Sequence, residues 1–369
     1  MVDRRTFIGG VVGGLFVVPL VARAQAARAD DVPRAASFAY VANDSAGTIS
    51  AFHIDAATGA LTPLASTPIA SDKNPYSVTI DPAGRWLYVA HGDASSIVAF
   101  SIDPVGGELK PAPISRTATG AYPVSAAIDP EGRFLYVSTM VADAIAAYAI
   151  NPTTAALTPV AGSPFAAGKR PSGNAIHPNG RFLYVTGLTT RSVLAFAIDR
   201  ATGALKPLRG SPFPAGTNPR AIAIESGGRF AYVVNAGSND VSSYTIDPHT
   251  GMLSLVPGRP VPSGENPRAV VVAPRGGYVY VASHFSDSIW AYSIDRPSGA
   301  LRSLPEQPFG AGKNPRGLAI DKRGTLLYCT NYGANSVSAY RVNPITGVLN
   351  EISGSPYSTG DGPFGIAIF

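Results

Sequence analysis

The sequence predicts an all-β fold, namely a seven-bladed β-propeller with four antiparallel strands in each blade. The first observation is a tyrosine that recurs every 48 residues, at Tyr40, Tyr88, Tyr136, Tyr184, Tyr232, Tyr280 and Tyr328. The second is a leucine with the same spacing, at Leu61, Leu109, Leu157, Leu205, Leu253, Leu301 and Leu349. A fixed period of this length is typical of a repeat architecture. Since each repeat holds several short strands, the radial repetition of one small sheet is the expected arrangement.

Each repeat opens with an apolar strand that begins at a proline, as in residues 219–224. A turn of the type Asp-Pro-x-Gly-Arg follows, as in residues 81–85, and leads into a strand that ends in Leu-Tyr-Val. A third strand such as residues 97–102 comes next, then a second turn such as residues 199–203 and the segment with the repeated leucine. The β-branched and aromatic residues favour strands, and Pro, Gly and Asp mark the turns. No sustained helical periodicity interrupts this pattern.

The two ends of the repeat region predict how the ring closes. The first unit lacks its opening strand because the pattern starts near Phe38, and the chain ends on a lone opening strand, residues 363–368. We therefore expect the C-terminal strand to be the innermost strand of the N-terminal blade, whose other strands come from residues 38 to 66. This closure removes exposed strand edges that invite aggregation. Residues 30–369 are predicted to form this single domain.

Residues 1–29 have the composition of an export signal and a short linker. Arg4 and Arg5 form a twin-arginine pattern, an apolar run covers residues 8–21, and small residues follow at 22–26. This order is typical of a cleaved signal peptide, and the apolar run is short for a membrane span. An uncleaved membrane anchor is the alternative. We expect a periplasmic or secreted protein with no membrane span after signal cleavage.

Composition argues against several classes of function. The net charge is +5 and only 14% of the residues are charged, which is weak support for nucleic-acid binding. The single cysteine, Cys329, cannot form an internal disulfide and replaces a core valine of the repeat. The sequence contains no Cys-x-x-Cys and no His-Glu-x-x-His, so we expect no zinc site and no cofactor. We expect the protein to be a monomer.

Residues 218–235 and 182–187 carry a more specific signal, the second of them reading Phe-Leu-Tyr-Val-Thr-Gly. They resemble the repeats of the seven-bladed propeller lactonase family, which includes 6-phosphogluconolactonase-like proteins, and those of the related Tyr-Val-Thr-Asn repeat propellers. The resemblance implies hydrolysis of a sugar lactone. Arg220 matches the arginine of the family's Gly-Pro-Arg-His pattern, whereas Ala221 stands at the histidine and Ala236 at the following glutamate. Residues 169–173 have no histidine where the family often has His-Pro-His.

The residue after the proline of each inner strand differs from one repeat to the next, and these differences indicate a binding site. Around the ring this position holds Tyr76, Val124, Ser172, Arg220, Arg268, Arg316 and Phe364. Three consecutive arginines are predicted to converge at one mouth of the central channel, with Tyr76 and Phe364 beside them. Arginine suits carboxylate or phosphate recognition, and an aromatic ring can stack on a sugar. The alternative is that the arginines brace the mouth by pairing with carbonyl groups or with Glu265.

At the position four residues after each repeated tyrosine, the chain should have returned to the same mouth of the channel. It holds Asp44, Gly92, Met140, Leu188, Ala236, His284 and Tyr332. His284 shares its repeat with Arg268 and Glu265, so these residues are predicted to supply a base, an oxyanion stabiliser and an orienting carboxylate for lactone opening. A plain surface histidine is the alternative. Two functions stay open: an enzyme that opens a sugar lactone, and a non-catalytic propeller that binds an anionic ligand or a protein partner.

Overall fold

The computed structural model describes residues 37–110 and 115–369, which form seven antiparallel sheets and no helix. The segment predicted to be an export signal lies outside the described residues. We number the blades by the repeated tyrosine, from blade 1 with Tyr40 to blade 7 with Tyr328. The predicted all-β, seven-bladed propeller is confirmed.

The strands of each blade run from the channel outwards. The inner strands are Pro363–Ile368, Pro75–Ile80, Pro123–Ile128, Pro171–Ile176, Pro219–Ile224, Pro267–Val272 and Pro315–Ile320, in the order of blades 1 to 7. The second strands are Ser37–Asn43, Trp86–His91, Phe134–Thr139, Phe182–Gly187, Phe230–Asn235, Tyr278–Ser283 and Leu326–Asn331. The third strands are Thr48–Ile54, Ser96–Ser101, Ala144–Ile150, Ser192–Ile198, Asp240–Ile246, Ser288–Ile294 and Ser336–Val342.

The outermost strand differs from the prediction, because it is broken into two short pieces in every blade but blade 2. Both pieces pair with the same third strand, so each of these sheets has five strands within the part of the chain that is described. The first pieces are Leu61–Pro63, Leu157–Pro159, Leu205–Pro207, Leu253–Leu255, Leu301–Ser303 and Leu349–Glu351. The second pieces are Ile69–Ala70, Phe165–Ala166, Phe213–Pro214, Val261–Pro262, Phe309–Gly310 and Tyr357–Ser358. In blade 2, the described residues contain one outer strand, Ser115–Ala118, and an isolated bridge between Leu109 and Ile102.

The C-terminal strand closes the ring as predicted. Pro363–Ile368 pairs antiparallel with Ser37–Asn43, and Tyr40 stands opposite Ala367. Phe38 and Phe369 exchange two backbone hydrogen bonds of 3.0 Å. Blade 1 is therefore assembled from both ends of the described chain.

Each repeated tyrosine joins its own blade to the next one. All seven tyrosines are fully buried. The Tyr136 hydroxyl donates to the carbonyl oxygen of Gly203, 67 residues later, at 2.9 Å. Gly203 has φ +77°, and a Cβ there would lie 2.4 Å from the Phe134 ring, so the turn that accepts this bond requires glycine. The period of the sequence thus reflects one contact repeated around the ring.

The hydrophobic core is divided among the interfaces between neighbouring blades. One such cluster contains Tyr280 and Ile289 of blade 6 together with Leu327 and Cys329 of blade 7. Cys329 is fully buried there, as predicted, and burial raises the pKa of its thiol. Among the described residues, no helix is long and apolar enough to cross a membrane.

Candidate functional site

Backbone geometry places two residues of every blade at the same mouth of the channel. The residue before each inner-strand proline has a left-handed φ between 53° and 68°: Asn74, Tyr122, Arg170, Asn218, Asn266, Asn314 and Gly362. Its carbonyl oxygen accepts a hydrogen bond from the residue four positions after the repeated tyrosine, for example from His284 N to Asn266 O at 3.1 Å. Asparagine and glycine tolerate this conformation best. The start of the inner strand and the end of the second strand are therefore tied together.

A cavity of about 250 Å³ opens between the inner strands at this mouth. Its lining includes all five predicted ligand-binding residues, namely Tyr76, Arg220, Arg268, Arg316 and Phe364. The structure therefore brings together side chains that are separated by up to 288 positions in the sequence. Ser77, Ser125, Ser172 and Val124 complete the wall on the side of Tyr76.

The three arginines line the cavity without a partner for their charge. The Nε atoms of Arg220, Arg268 and Arg316 are buried and have no hydrogen-bond partner. Among the hydrogen bonds and ion pairs of residues 37–110 and 115–369, none uses these guanidinium groups. The bracing contacts to carbonyl groups or to Glu265, which the sequence left as an alternative, are thus not found there. The three side chains are half-buried, and charges that lose part of their hydration without gaining a partner are costly, so a bound anion would stabilise this arrangement.

Burial, and to a smaller extent electrostatic repulsion between neighbouring cations, lowers the pKa of Arg220 and of Arg268. Burial is the main cause for Arg268, whose pKa falls to about 10, and the neighbouring Arg220 and Arg316 lower it further. The pKa of Arg220 is also lowered, first by burial and then by Arg316 and Arg170. Arg170 is thus a fourth cation near the mouth, which the sequence reasoning missed because it precedes the proline.

Arg316 differs from the other two arginines because aromatic rings hold it on two sides. Its guanidinium carbon lies 4.2 Å from the ring centre of Tyr332 and 4.6 Å from that of Phe364. Such cation–π contacts fix the position of the charge without neutralising it. Tyr332 lies four residues after the repeated tyrosine of its blade. This place in the repeat did not indicate that its ring would stack on the arginine of the same blade.

Aromatic rings form a continuous arc around part of the mouth. The ring centres of Tyr332 and Phe364 are 6.2 Å apart, those of Phe364 and Tyr76 are 3.8 Å apart, and those of Tyr76 and Tyr122 are 6.2 Å apart. Burial raises the pKa of Tyr76 and of Tyr122. These hydroxyl groups are therefore protonated at neutral pH and can donate hydrogen bonds.

No side-chain hydrogen bond or ion pair among the described residues joins the predicted base His284 to its predicted partner Glu265. His284 is buried, its Nδ1 atom has no partner, and its pKa is lowered to about 4 by burial and then by Arg316 and Arg268. The Glu265 side chain is exposed, and its backbone N–H donates to Ser286 Oγ at 2.6 Å. Within the described chain, no hydrogen bond or ion pair joins the Glu265 carboxylate to His284 or Arg268, and neither predicted catalytic residue lines the cavity.

A different carboxylate lies at the mouth. Asp44 is half-buried, and its oxygens accept hydrogen bonds from the Tyr332 hydroxyl at 3.3 Å and from the Asn74 amide. Burial is the main reason why the pKa of Asp44 is raised. The sequence reasoning placed Asp44 at this mouth but gave it no role. In the described residues, no group of three or more His, Cys, Asp and Glu side chains is arranged to hold a metal ion.

Comparison with known proteins identifies the family to which the chain belongs. The family model described as "Lactonase, 7-bladed beta-propeller" matches residues 23–125, 113–216 and 176–361. No protein of curated function is detectably similar in sequence.

Solved structures with the same fold are distant in sequence. A putative 6-phosphogluconolactonase from Bacteroides uniformis has 18% identity and a TM-score of 0.80, over 91% of this chain and 100% of that one. A putative 6-phosphogluconolactonase from Bacteroides fragilis has 20% identity and a TM-score of 0.77, over 91% and 98%. A periplasmic gluconolactonase from Pseudomonas aeruginosa has 18% identity and a TM-score of 0.77, over 90% and 99%. At these identities, the likeness concerns the fold.

Proposed function

Because the chain belongs to the lactonase family of seven-bladed β-propellers, we propose that it hydrolyses a small lactone in the arginine-lined cavity. The observation that carries the proposal is the group of three guanidinium groups in that cavity, whose Nε atoms are buried and lack any partner. Ester hydrolysis develops negative charge on the carbonyl oxygen and yields a carboxylate. Preorganised cations stabilise both species, so the same residues serve the reaction and its product.

The dimensions of the cavity favour a single small ring as the ligand. A volume of about 250 Å³ lies just below the usual range of small-molecule sites, which is about 300–1,000 Å³. The serine hydroxyls and aromatic rings that line the cavity together with the arginines suit a hydroxylated ring with one polar and one less polar face. A sugar lactone or a similar small anionic molecule meets these requirements. The Bacteroides and Pseudomonas relatives bear the names of sugar lactonases, which agrees with this substrate class.

The catalytic role of His284 and Glu265 stays part of the proposal as two separate candidates. His284 is neutral near pH 7 because its pKa is about 4, so its ring can accept a proton. The exposed Glu265 would act only by changing its side-chain position. Each residue needs its own variant, since a loss in one would not imply a loss in the other.

A second candidate function is binding without catalysis. It is favoured by Ala221 and Ala236, which stand where the family's acid–base histidine and glutamate are expected. The cavity would then hold an anionic small molecule, or the mouth would contact a protein partner. The arginines would keep the same role in this case, because recognition of the anion does not require a base.

A lactone panel on the purified mature protein separates the two functions. We expect ring opening of at least one small sugar lactone, and loss of that activity in Arg220→Ala, Arg268→Ala and Arg316→Ala. Arg302→Ala is the matched control, because its side chain is 77% exposed on an outer strand. Binding of hydroxy acids by an inactive wild-type protein would support the second candidate, and the absence of both would contradict the proposed site.

We also propose export by the twin-arginine route, on the basis of Arg4 and Arg5 and the small residues that follow the apolar run. A periplasmic or secreted location makes a phosphorylated cytoplasmic sugar an unsuitable substrate. Changing both arginines to lysine should leave precursor protein in the cytoplasm. The fractions of precursor and mature protein in each compartment measure this, and normal periplasmic appearance of the variant would contradict the route.

A further inference from the structure

Asp44 is attached to the rim of the cavity by contacts from three blades. It follows the second strand of blade 1, and its backbone N–H donates to Gly362 O at 2.8 Å. The Tyr332 hydroxyl of blade 7 lies 3.3 Å from one carboxylate oxygen, and the Asn74 amide of the connection into blade 2 donates to the other. The ring of Tyr332 in turn packs on Arg316, which lines the cavity. The carboxylate does not line the cavity itself but is held at its rim, with the ring of Tyr332 between it and Arg316.

Ring opening by water needs a group that takes a proton from the water and returns one to the leaving oxygen. The tyrosines at the mouth are poor bases, because burial raises the pKa of Tyr76 and Tyr122. His284 is a weak base with a pKa of about 4, and the charges of Arg268 and Arg316 disfavour its protonated form. Asp44 is better suited than these residues to act as the base, because its charged form accepts a proton and burial raises its pKa.

We propose that Asp44, at the rim of this cavity, is the catalytic acid–base residue for a lactone bound against Arg316, and that Tyr332 is the positioning residue that orients it. This inference rests on the lactone hydrolysis proposed above. Asp44 takes a proton from a water molecule while the water oxygen forms a bond to the lactone carbonyl carbon. The carbonyl oxygen becomes an oxyanion next to Arg316. The ring C–O bond then breaks, and the proton passes from Asp44 to the leaving alkoxide, which gives a hydroxy acid.

The geometry leaves room for this step. No ion pair within 4.0 Å joins Asp44 to Arg316 in the described residues, although the Arg316 charge lowers the pKa of Asp44. A direct ion pair would neutralise both groups and block the carbonyl oxygen from the guanidinium. Asp44 is half-buried rather than enclosed, so water can reach it.

The groups that face Asp44 predict how its titration responds to substitution. The hydrogen bonds from Tyr332 and Asn74 and the charge of Arg316 lower its pKa, whereas burial and the charge of Asp93 raise it. Asp93 is exposed on the neighbouring blade 2. Removing the Tyr332 hydroxyl should therefore raise the pKa of Asp44, and removing the Asp93 charge should lower it.

The experiment measures kcat/KM against pH for the purified mature protein, with a lactone that the wild type opens. Asp44→Asn should lower kcat by about 100-fold or more, which is the ordinary contribution of a general base. Tyr332→Phe should move the acid limb of the profile to higher pH, and Asp93→Asn should move it to lower pH. Asp199→Asn is the control, because Asn151 and Asn343 occupy the equivalent turn position in other blades.

The outcomes distinguish this inference from the proposed function. If the wild type opens lactones but Asp44→Asn retains most of the activity, the role of Asp44 is wrong and the lactonase function stands. If the wild type opens no lactone, the proposed function fails and the role of Asp44 fails with it. If Asp44→Asn does not fold, the other two variants decide. Opposite shifts of the acid limb in Tyr332→Phe and Asp93→Asn support the role of Asp44, and an acid limb that stays in place in both variants overturns it.

Discussion

The hydroxyl of Tyr328 donates a hydrogen bond of 2.8 Å to the carbonyl oxygen of Gly59, which joins the last blade of the ring to the first. The other repeated tyrosines make the same contact with the following blade, 67 residues later in the sequence, as from Tyr40 to Gly107 at 2.7 Å. Ring closure therefore uses the same side-chain bond as every other blade junction, in addition to the backbone pairing of the C-terminal strand.

Tyr328→Phe should weaken this closure. The Gly59 carbonyl would lose its buried partner, and an unsatisfied buried acceptor costs about 1–3 kcal/mol. Urea denaturation monitored by fluorescence measures the loss. Tyr88→Phe is the matched control, because its hydroxyl lies 3.4 Å from the Ala155 carbonyl oxygen and makes a weaker bond. Equal losses in both variants would show that the hydrogen bond is not the cause.

Deleting residues 363–369 should open the ring. Blade 1 would lose its innermost strand, and the edge of Ser37–Asn43 would be exposed to other molecules. We expect aggregation in size-exclusion chromatography and light scattering, and a lower melting temperature. A synthetic peptide with the deleted sequence should partly restore the monomer. A truncated protein that melts like the full-length one would contradict the role of this strand.

Each cavity arginine should contribute to anion binding and not to folding. Charge-assisted hydrogen bonds contribute about 1.5–3 kcal/mol, so Arg268→Ala should weaken a bound carboxylate or phosphate about 10- to 100-fold. Its melting temperature should not fall, because the variant removes a charge whose buried Nε atom lacks any partner. Calorimetric titration and thermal melting measure the two effects. Unchanged binding together with a lower melting temperature would make the arginine a structural brace.

The stability of the fold should depend on pH through His91. This side chain is fully buried, its Nε2 atom lies 2.7 Å from Ser71 Oγ, and burial lowers its pKa from the ordinary 6.5 to about 4. The unfolded chain binds the proton first as the pH falls. The free energy of unfolding should therefore decrease from about pH 6.5 to about pH 4, by up to about 3 kcal/mol, and this contribution should be constant below that range.

His91→Asn provides the control for this pH dependence. Asn43, Asn235 and Asn331 occupy the equivalent strand end in three other blades, so the substitution fits the local structure. The variant should lose the part of the pH dependence between pH 6.5 and pH 4 that is due to His91. Urea midpoints at pH 7 and pH 5 test the difference. The same slope in both proteins would show that other groups cause it.

The fold could be predicted from the sequence because every blade repeats the same contacts. The regular tyrosine indicates seven blades, and the unpaired strands at Phe38 and Pro363 indicate the closure. The break in the outermost strand was not predicted. It follows from two short pairings with one third strand, such as Ile54 with Leu61 and Ile49 with Ile69, which the period does not resolve.

For the candidate site, the sequence could predict backbone positions but not the contacts between side chains. The five lining residues share one slot of the repeat, so their convergence follows from the ring. The pairing of His284 with Glu265 did not follow, because two residues of one blade can point in different directions. The contact between Asp44 and Tyr332 joins different blades, 288 residues apart, and depends on side-chain geometry that no spacing within a repeat contains.

The adjacency of Phe38 and Phe369, which exchange two backbone hydrogen bonds, means that the two ends of the described chain lie side by side. A short peptide link could join them without changing any strand. New ends could then be opened in an exposed loop, such as that around Arg259, to give a circularly permuted protein. Every tyrosine would keep its acceptor in the next blade. The stability of the ring should therefore depend on the contacts between neighbouring blades and not on which blade contains the ends of the chain.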